Sequence, residues 1–315
     1  MSESRTTTGP VLVLGNNTVD LVFRMPGTIP RDGKVQAESL TVTAGGQAAN
    51  VAHALALLGV PVRYVGAFGG DDDSALSRRS LEDVGVDTSR CIAVAGCPAH
   101  RAAVLVDTRA GGRSIVMYKD SRLELAPEVI TPELMGGVRL VYLDNHEPRA
   151  SAVAARLARA RGIPVVADLE SVSDLAVAVL TDVDVLIAPA EVLSGLTEEN
   201  DVVPMLRAVQ RLGPRTVVAT AGPRGADGVE AFGPPTHVPG RPCPVVDSTG
   251  AGDAFHAGYI AALLRGADFP ARLELATAVA ARKCGVAGPR LTADDARTVL
   301  ADADGAVLAA ADGGW

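Results

Sequence analysis

The chain has 315 residues, a formal net charge of −8, 48% hydrophobic residues and only 3% aromatic ones, so its core must be built from Ala, Val and Leu rather than rings. The acidic balance, without clustered Lys and Arg, excludes a polyanion-binding face for nucleic acid. Four cysteines without a Cys-x-x-Cys pair, and five histidines without His-Glu-x-x-His spacing, exclude a disulfide scaffold and that class of zinc enzyme.

Met1 to Pro10 is polar and reads as a disordered tail lacking the features of a signal peptide. No apolar run reaches the ~18–20 residues of a membrane span, and a cytoplasmic protein with reduced thiols is expected. Val11 to Gly15 is an unbroken apolar run ending in Gly, as in a central parallel strand. Ala44 to Gly59 is a Gly-opened, Gly-closed helix feeding a strand over Val62 to Phe68. The rhythm returns as strand Val138–Leu143, helix Arg149–Arg161, strand Ile163–Asp168, helix Leu175–Leu180, strand Val183–Ala188, helix Val202–Leu212 and strand Thr216–Thr220. Such alternation predicts a doubly wound α/β sheet with its chemistry at the C-terminal strand ends. Two stretches, Phe23–Thr43 and Cys91–Tyr118, break the rhythm with short alternating segments and Gly-rich turns. They predict antiparallel strands of a small inserted sheet, placed to act as a lid that keeps water from competing as acceptor.

The most informative stretch is Asp247-Ser-Thr-Gly-Ala-Gly-Asp-Ala-Phe-His-Ala-Gly-Tyr-Ile260. An extended approach opens into a helix near Gly250, where the first amides lack intrahelical partners and the macrodipole is positive. Gly250, Ala251 and Gly252 carry almost no side chain and would let an anion reach those amides. Asp253 adds a carboxylate in the first turn. First-turn Asp is favourable through the dipole alone by roughly 0.3–1 kcal/mol, which is the structural reading of this residue. The full string, with small residues between two carboxylates, favours a base beside an oxyanion cradle, the equipment for moving a phosphoryl group onto a hydroxyl.

Together with Ala44-Gly-Gly-Gln-Ala-Ala-Asn50 and Gly69-Gly70-Asp71, this string resembles the signatures of the PfkB family, the ribokinase-like carbohydrate kinases, over nearly the whole chain. Ala281-Arg-Lys-Cys-Gly-Val-Ala-Gly288, Val166–Glu170 and Gly112–Val116 are most similar to the ketohexokinase branch. The resemblance implies a ribokinase-like fold over 11–305 as a single kinase domain, with lid segments at about 23–43 and 91–118. It implies ATP-dependent phosphorylation of a monosaccharide or related polyol with Asp253 as catalytic base. Asp20, Gly46, Gln47 and Asn50 match substrate-binding positions. Thr220, Gly222 and Gly225 form a nucleotide loop without the Gly-Lys-Ser/Thr ending of a Walker motif, and Gly285 and Gly288 floor the adenine site. For Thr220–Gly225 a plain strand-to-helix turn is the competing reading, and for Asn50 a helix-start residue bonded to its own backbone. Where the family often has Asn-x-x-Glu, this chain has Ala188-Pro-Ala-Glu191, leaving Glu191 to orient Mg²⁺-bound water. Asp247 and Thr249 resemble positions that bind K⁺ in some members. Arg113 reads as a solvated hairpin residue, with a phosphate contact as the alternative, and His100-Arg101 as a surface pair. Small-molecule sugar and ATP are the expected partners, with a homodimer through the lid sheet. A nucleoside kinase and a non-catalytic sugar or nucleotide sensor are the alternatives. The first would want aromatic residues to stack a base, and the second has no need of Asp253.

Overall fold

The computed structural model describes residues 9–110 and 112–304. The tail expected over Met1–Pro10 therefore lies largely outside the described residues, as does the chain beyond 304. From the N-terminus come β1 (Val11–Leu14), β2 (Thr18–Met25), β3 (Ser39–Gly45), α1 (Gln47–Leu57), β4 (Val62–Val65), β5 (Ala67–Phe68) and α2 (Asp72–Glu82). There follow β6 (Ile92–Ala93), β7 (Arg101–Asp107), β8 (Arg113–Tyr118), β9 (Leu140–Leu143), α3 (Pro148–Ala160), β10 (Val165–Asp168), α4 (Asp174–Val179) and β11 (Val185–Pro189). The rest is α5 (Ala190–Thr197), α6 (Val202–Gln210), β12 (Thr216–Thr220), β13 (Ala226–Glu230), β14 (Thr236–Val238), α7 (Ala251–Leu264), α8 (Phe269–Cys284) and α9 (Ala293–Asp304).

Eight strands form the main sheet in the order β14-β13-β12-β11-β10-β9-β1-β4. From β4 to β12 every pairing is parallel, and β13 and β14 close the far edge as an antiparallel hairpin. The parallel strands are Val- and Leu-rich because helices cover both faces. Alternation within β1 shows the two layers: Val11 and Val13 pack with residues of α1, α7, α8 and α9, while Leu12 and Leu14 pack with those of α3, α5 and α6. The chain leaves β1 for β4 on one side and resumes at β9 on the other, so a crevice opens at the carboxyl ends of these strands. Close packing of α7 on α8 depends on Gly258, where an added Cβ would lie 2.8 Å from the Ala276 Cα and 2.9 Å from Val279 Cγ2. Forcing a methyl into such a contact typically costs about 1–3 kcal/mol.

The small sheet is ordered β3-β2-β7-β8 and differs from expectation in three ways. It begins at Thr18 rather than Phe23, which places Asp20 inside β2. Ile92–Ala93, expected within it, pairs instead with Ala67–Phe68. Its central pair, β2 with β7, is parallel, whereas the outer pairs are antiparallel. The topology permits this: the connection from β2 to β7 runs through β3 and then the main body by way of α1, β4 and α2, the long crossover that a parallel pair requires. The expected strand over Val62–Phe68 is interrupted at Gly66, where an added Cβ would meet the Tyr64 hydroxyl at 2.3 Å.

Candidate active site

A cavity of about 850 Å³ lies at the carboxyl ends of the main strands, between them and the small sheet. Asp168 at the end of β10, Pro189 at the end of β11 and Thr220 at the end of β12 line one wall. Ala102 and Val104 of β7, in register with Met117 and Ile115 of β8, line the other. The structure brings Asp20, Gly46, Gln47, Asn50, Thr220, Gly222, Gly225, Thr249, Gly250, Ala251, Gly252 and Asp253 to this one cavity.

Gly250 caps α7 with φ 77°, a left-handed conformation that favours glycine, and the helix runs on almost wholly buried. Gly252 and Asp253 lie in the first turn, where no helical carbonyl precedes to take their amides. The Ala251 amide donates to the Ser248 carbonyl at 3.2 Å, so this member of the expected cradle already has a partner. Asp253 is 8% exposed, and burial pushes its carboxyl up to about 7 against the hydrogen bond from Asn50, with Asp168 adding to the rise. A buried carboxyl that titrates near neutrality beside bare amides can accept a proton while an anion is held next to it.

Asn50 is held at both ends of its amide. Its Nδ2 donates to Asp253 Oδ2 at 2.8 Å, and its Oδ1 accepts from Arg290 Nε at 2.9 Å. Arg290 Nη1 donates in turn to Ser80 Oγ at 2.7 Å. Asn50, expected to read substrate hydroxyls, thus also aims the Asp253 carboxylate. Asp20 accepts from Thr18 Oγ1 at 2.7 Å, and burial raises its pKa. Gly46 opens α1 with φ 93°, and a Cβ there would lie 2.5 Å from the Asn17 Cα, so two chain segments approach without side-chain room.

Sequence reasoning missed several neighbours. Asp144, fully buried just past β9, accepts from the amides of Asn16 at 2.7 Å and Ala48 at 3.1 Å, tying the end of β1 to the start of α1. His256 donates through Nδ1 to the Gly252 carbonyl at 2.8 Å and lies 3.7 Å from Asp168 through Nε2. Burial lowers its pKa, which keeps the ring neutral. Asp168 is pushed up to about 8 by burial, with Glu170 and Asp144 adding repulsion. His146, raised above its ordinary value, pairs with Glu170 at 3.4 Å and Lys119 at 2.7 Å.

Glu191 is exposed in the first turn of α5 and does not line the cavity. Besides Asp20 and Asp253, the carboxylates that do are Asp168 and Glu170, one strand over. Gly285 lines a neighbouring cavity of about 550 Å³, which shares Arg241, Pro242, Cys243 and Ala281 with the first as lining residues. Gly288 lines neither cavity; with φ 82° it makes a turn whose amide donates to Asp247 Oδ2 at 3.0 Å. Arg113 is no free hairpin residue: it lines the cavity, and its Nη1 donates to Ser248 Oγ at 2.9 Å. His100 is buried, and Arg101 pairs with Asp71 at 2.8 Å and Asp73 at 2.7 Å, so neither belongs to a surface pair.

The profile of the pfkB family carbohydrate kinases matches residues 10–296. The chain belongs to this family. The kinase is 33% identical over 302 residues to an ATP-dependent ribose-1-phosphate kinase of Halopiger xanaduensis, covering 93% of this chain and 98% of the relative. It is 26% identical to a ribokinase of Arabidopsis thaliana, covering 92% and 80%. Its fold matches the structure of Arabidopsis thaliana ribokinase complexed with ribose and ATP at a TM-score of 0.81 and 23% identity, over 93% of this chain and 99% of that one. These relatives establish a PfkB sugar or nucleoside kinase with ATP as phosphoryl donor, and do not assign it to the ketohexokinase branch. Among the described residues, no helix is long and apolar enough to cross a membrane.

Proposed function

We propose that this kinase transfers the γ-phosphoryl group of ATP to a hydroxyl of a ribose-type sugar, either the free pentose or its 1-phosphate, with Asp253 as base. The observation that carries this reading is the Asn50–Asp253 contact at 2.8 Å, which aims a buried carboxylate at the mouth of the α7 amides. Gly250, Gly252 and the Asp253 amide hold the transferring group, and Arg113 approaches the same loop from the small sheet. Asp20, with its neighbour Thr18, faces the acceptor as a hydroxyl-binding carboxylate. The loop Thr220–Gly225 and the adjoining cavity at Gly285 take the nucleotide. The small sheet closes over the site as a lid and keeps water from the phosphorus.

Asp168 and Glu170 are hard oxygen donors lining the cavity and suit Mg²⁺, which needs few protein carboxylates when it is bound with phosphates. When present, the ion would neutralise charge on the triphosphate. Among the described residues the cavity wall carries Phe255 as its one Phe, Tyr or Trp ring, beside the hydrogen-bonded imidazoles of His146 and His256, which favours a sugar over a nucleoside. The ribose-1-phosphate kinase at 33% identity supports a pentose acceptor. The test is ADP release across ribose, ribose 1-phosphate, fructose and nucleosides. A pentose or its phosphate is expected to give the highest kcat/KM; preference for a nucleoside, or tight sugar binding without ADP release, would replace the reading.

The pH profile follows from Asp253. Below about 7 the carboxyl is protonated and cannot act as base, so kcat/KM for the acceptor should fall with acidity and level off above that pH. A profile that stays level across the transition would remove Asp253 from the role.

The face of the small sheet turned away from the cavity exposes Leu40, Val42, Val116 and Tyr118 at 47–63% of their surface. A second copy covering this face would bury that apolar area. Sedimentation at about twice the 32.2 kDa of one chain is expected; a Leu40→Glu variant that leaves the mass unchanged would point to another interface.

A further inference from the structure

The segment Asp247–Gly250 belongs to no strand or helix, yet it leads into the amides that face the anion. Three tethers fix it. The Asp247 carboxylate accepts from the amides of Thr249 at 2.8 Å and Gly288 at 3.0 Å. The amides of Val246 and Asp247 donate to the Cys284 carbonyl at 2.8 and 3.2 Å. The third tether is Lys283 in the last turn of α8, whose side chain is 0% exposed. Its ammonium donates to the Asp247 carbonyl at 2.7 Å and to the Val286 carbonyl at 3.4 Å.

A fully buried ammonium is costly unless its charge is met. Here burial lowers its pKa while the Asp247 carboxylate raises it, and the C-terminal carbonyls of α8 and the following turn supply the negative end of a helix dipole. Those carbonyl oxygens are also the donors a bound monovalent cation would use. Each Asp247 carboxylate oxygen already accepts one amide, and the Lys283 ammonium already sits on the Asp247 carbonyl, so a K⁺ at Asp247 and Thr249 would lie beside a fixed like charge; the unpartnered Thr249 hydroxyl adds a single oxygen.

We propose that Lys283 is a positioning residue, a built-in cation that orders the phosphate cradle in the place of a bound monovalent ion, so that turnover needs no added K⁺. This rests on the phosphoryl-transfer reading above. It accounts for a charged side chain wholly inside the molecule that hydrogen-bonds to backbone oxygens, next to the segment that must not move when charge develops on the transferring group.

The test is ADP release by the full chain with its acceptor in Na⁺, K⁺ and tetramethylammonium buffers of equal ionic strength, for the wild type and Lys283→Ala. Wild-type turnover is expected to be unchanged across the three salts. Lys283→Ala should lose at least about tenfold in kcat, a fraction of what an anion-hole donor contributes, with the acceptor KM little altered. Methylammonium or K⁺ should restore part of that loss, which a purely structural defect would not allow. Wild-type turnover that rises with K⁺, a variant with full activity, or a deficient variant deaf to every cation would each overturn the proposal. If Lys283→Ala does not fold, the wild-type salt series decides. If the wild type releases no ADP with any of the acceptors, it is the functional reading that fails, and ATP affinity by calorimetry in the same salts then tests the built-in cation: no K⁺ dependence supports it and tighter binding in K⁺ refutes it.

Discussion

Asp253→Asn is expected to lower kcat by about 10²- to 10⁴-fold, the usual share of a general base, with little change in the KM for ATP. The substitution is nearly isosteric, and the new amide oxygen can still accept from Asn50 Nδ2, so the α7 start should stay in place. Stability should move the other way. The folded chain holds a proton on Asp253 up to about 7, whereas the unfolded carboxyl releases it near 4, so stability is fullest below the unfolded pKa and is lost as pH rises through the folded one. Asn cannot ionise, and the variant should lose less thermal stability than the wild type between mildly acidic and mildly basic pH. Thermal melts at the two ends of that window, beside ADP-release kinetics, measure both halves. A variant as active as the wild type would remove the base from the mechanism.

Gly250→Ala should cost about 10²- to 10³-fold in kcat, the range seen when one oxyanion donor is lost. Two causes act together. The residue has φ 77°, which alanine adopts at a cost of about 1–2 kcal/mol, and an added Cβ would lie 2.0 Å from the Pro289 carbonyl oxygen. That contact is with backbone, so the loop and not a side chain has to yield, and the α7 amides leave register. Gly252, whose Cβ would meet nothing within 4 Å, is the control: Gly252→Ala should fold normally, and any loss there reports crowding of the anion itself. Equal activity of Gly250→Ala and the wild type, with circular dichroism showing both folded, would mean that the cradle is elsewhere.

What the sequence shows of this site is what is local. Gly250, Gly252 and Asp253 sit within one helical turn of each other, so their spacing alone reveals a helix start with a carboxylate, and α7 begins at Ala251, next to the expected Gly250. Gly45-Gly46 before an Ala-rich run likewise marks the α1 start. The main sheet is legible because parallel strands buried on both faces are written as unbroken apolar runs. Asp144, Asp168, Lys283 and Arg290 are not legible in this way. Each acts through a partner far along the chain, as Arg290 does on Asn50 and Asp144 on Asn16 and Ala48, and only strand order brings them together. A carboxylate ending a parallel strand, as Asp168 ends β10, was the available signal, because ligands gather at those ends. Glu191 is the opposite case: its place in the motif suggests a role at metal-bound water, while the first turn of α5 leaves its side chain exposed and outside the cavity lining. The small sheet was recognised from its broken helical rhythm, while its parallel centre depends on a crossover that no local pattern records.

The most direct test of the account is a crystal structure of the kinase with a non-hydrolysable ATP analogue and its acceptor sugar. The terminal phosphate should rest on the amides of Gly250 to Asp253, with the acceptor hydroxyl within hydrogen-bonding distance of the Asp253 carboxylate. A triphosphate tail ending elsewhere in the cavity, with Asp253 bonded to Asn50 and facing no substrate atom, would contradict it.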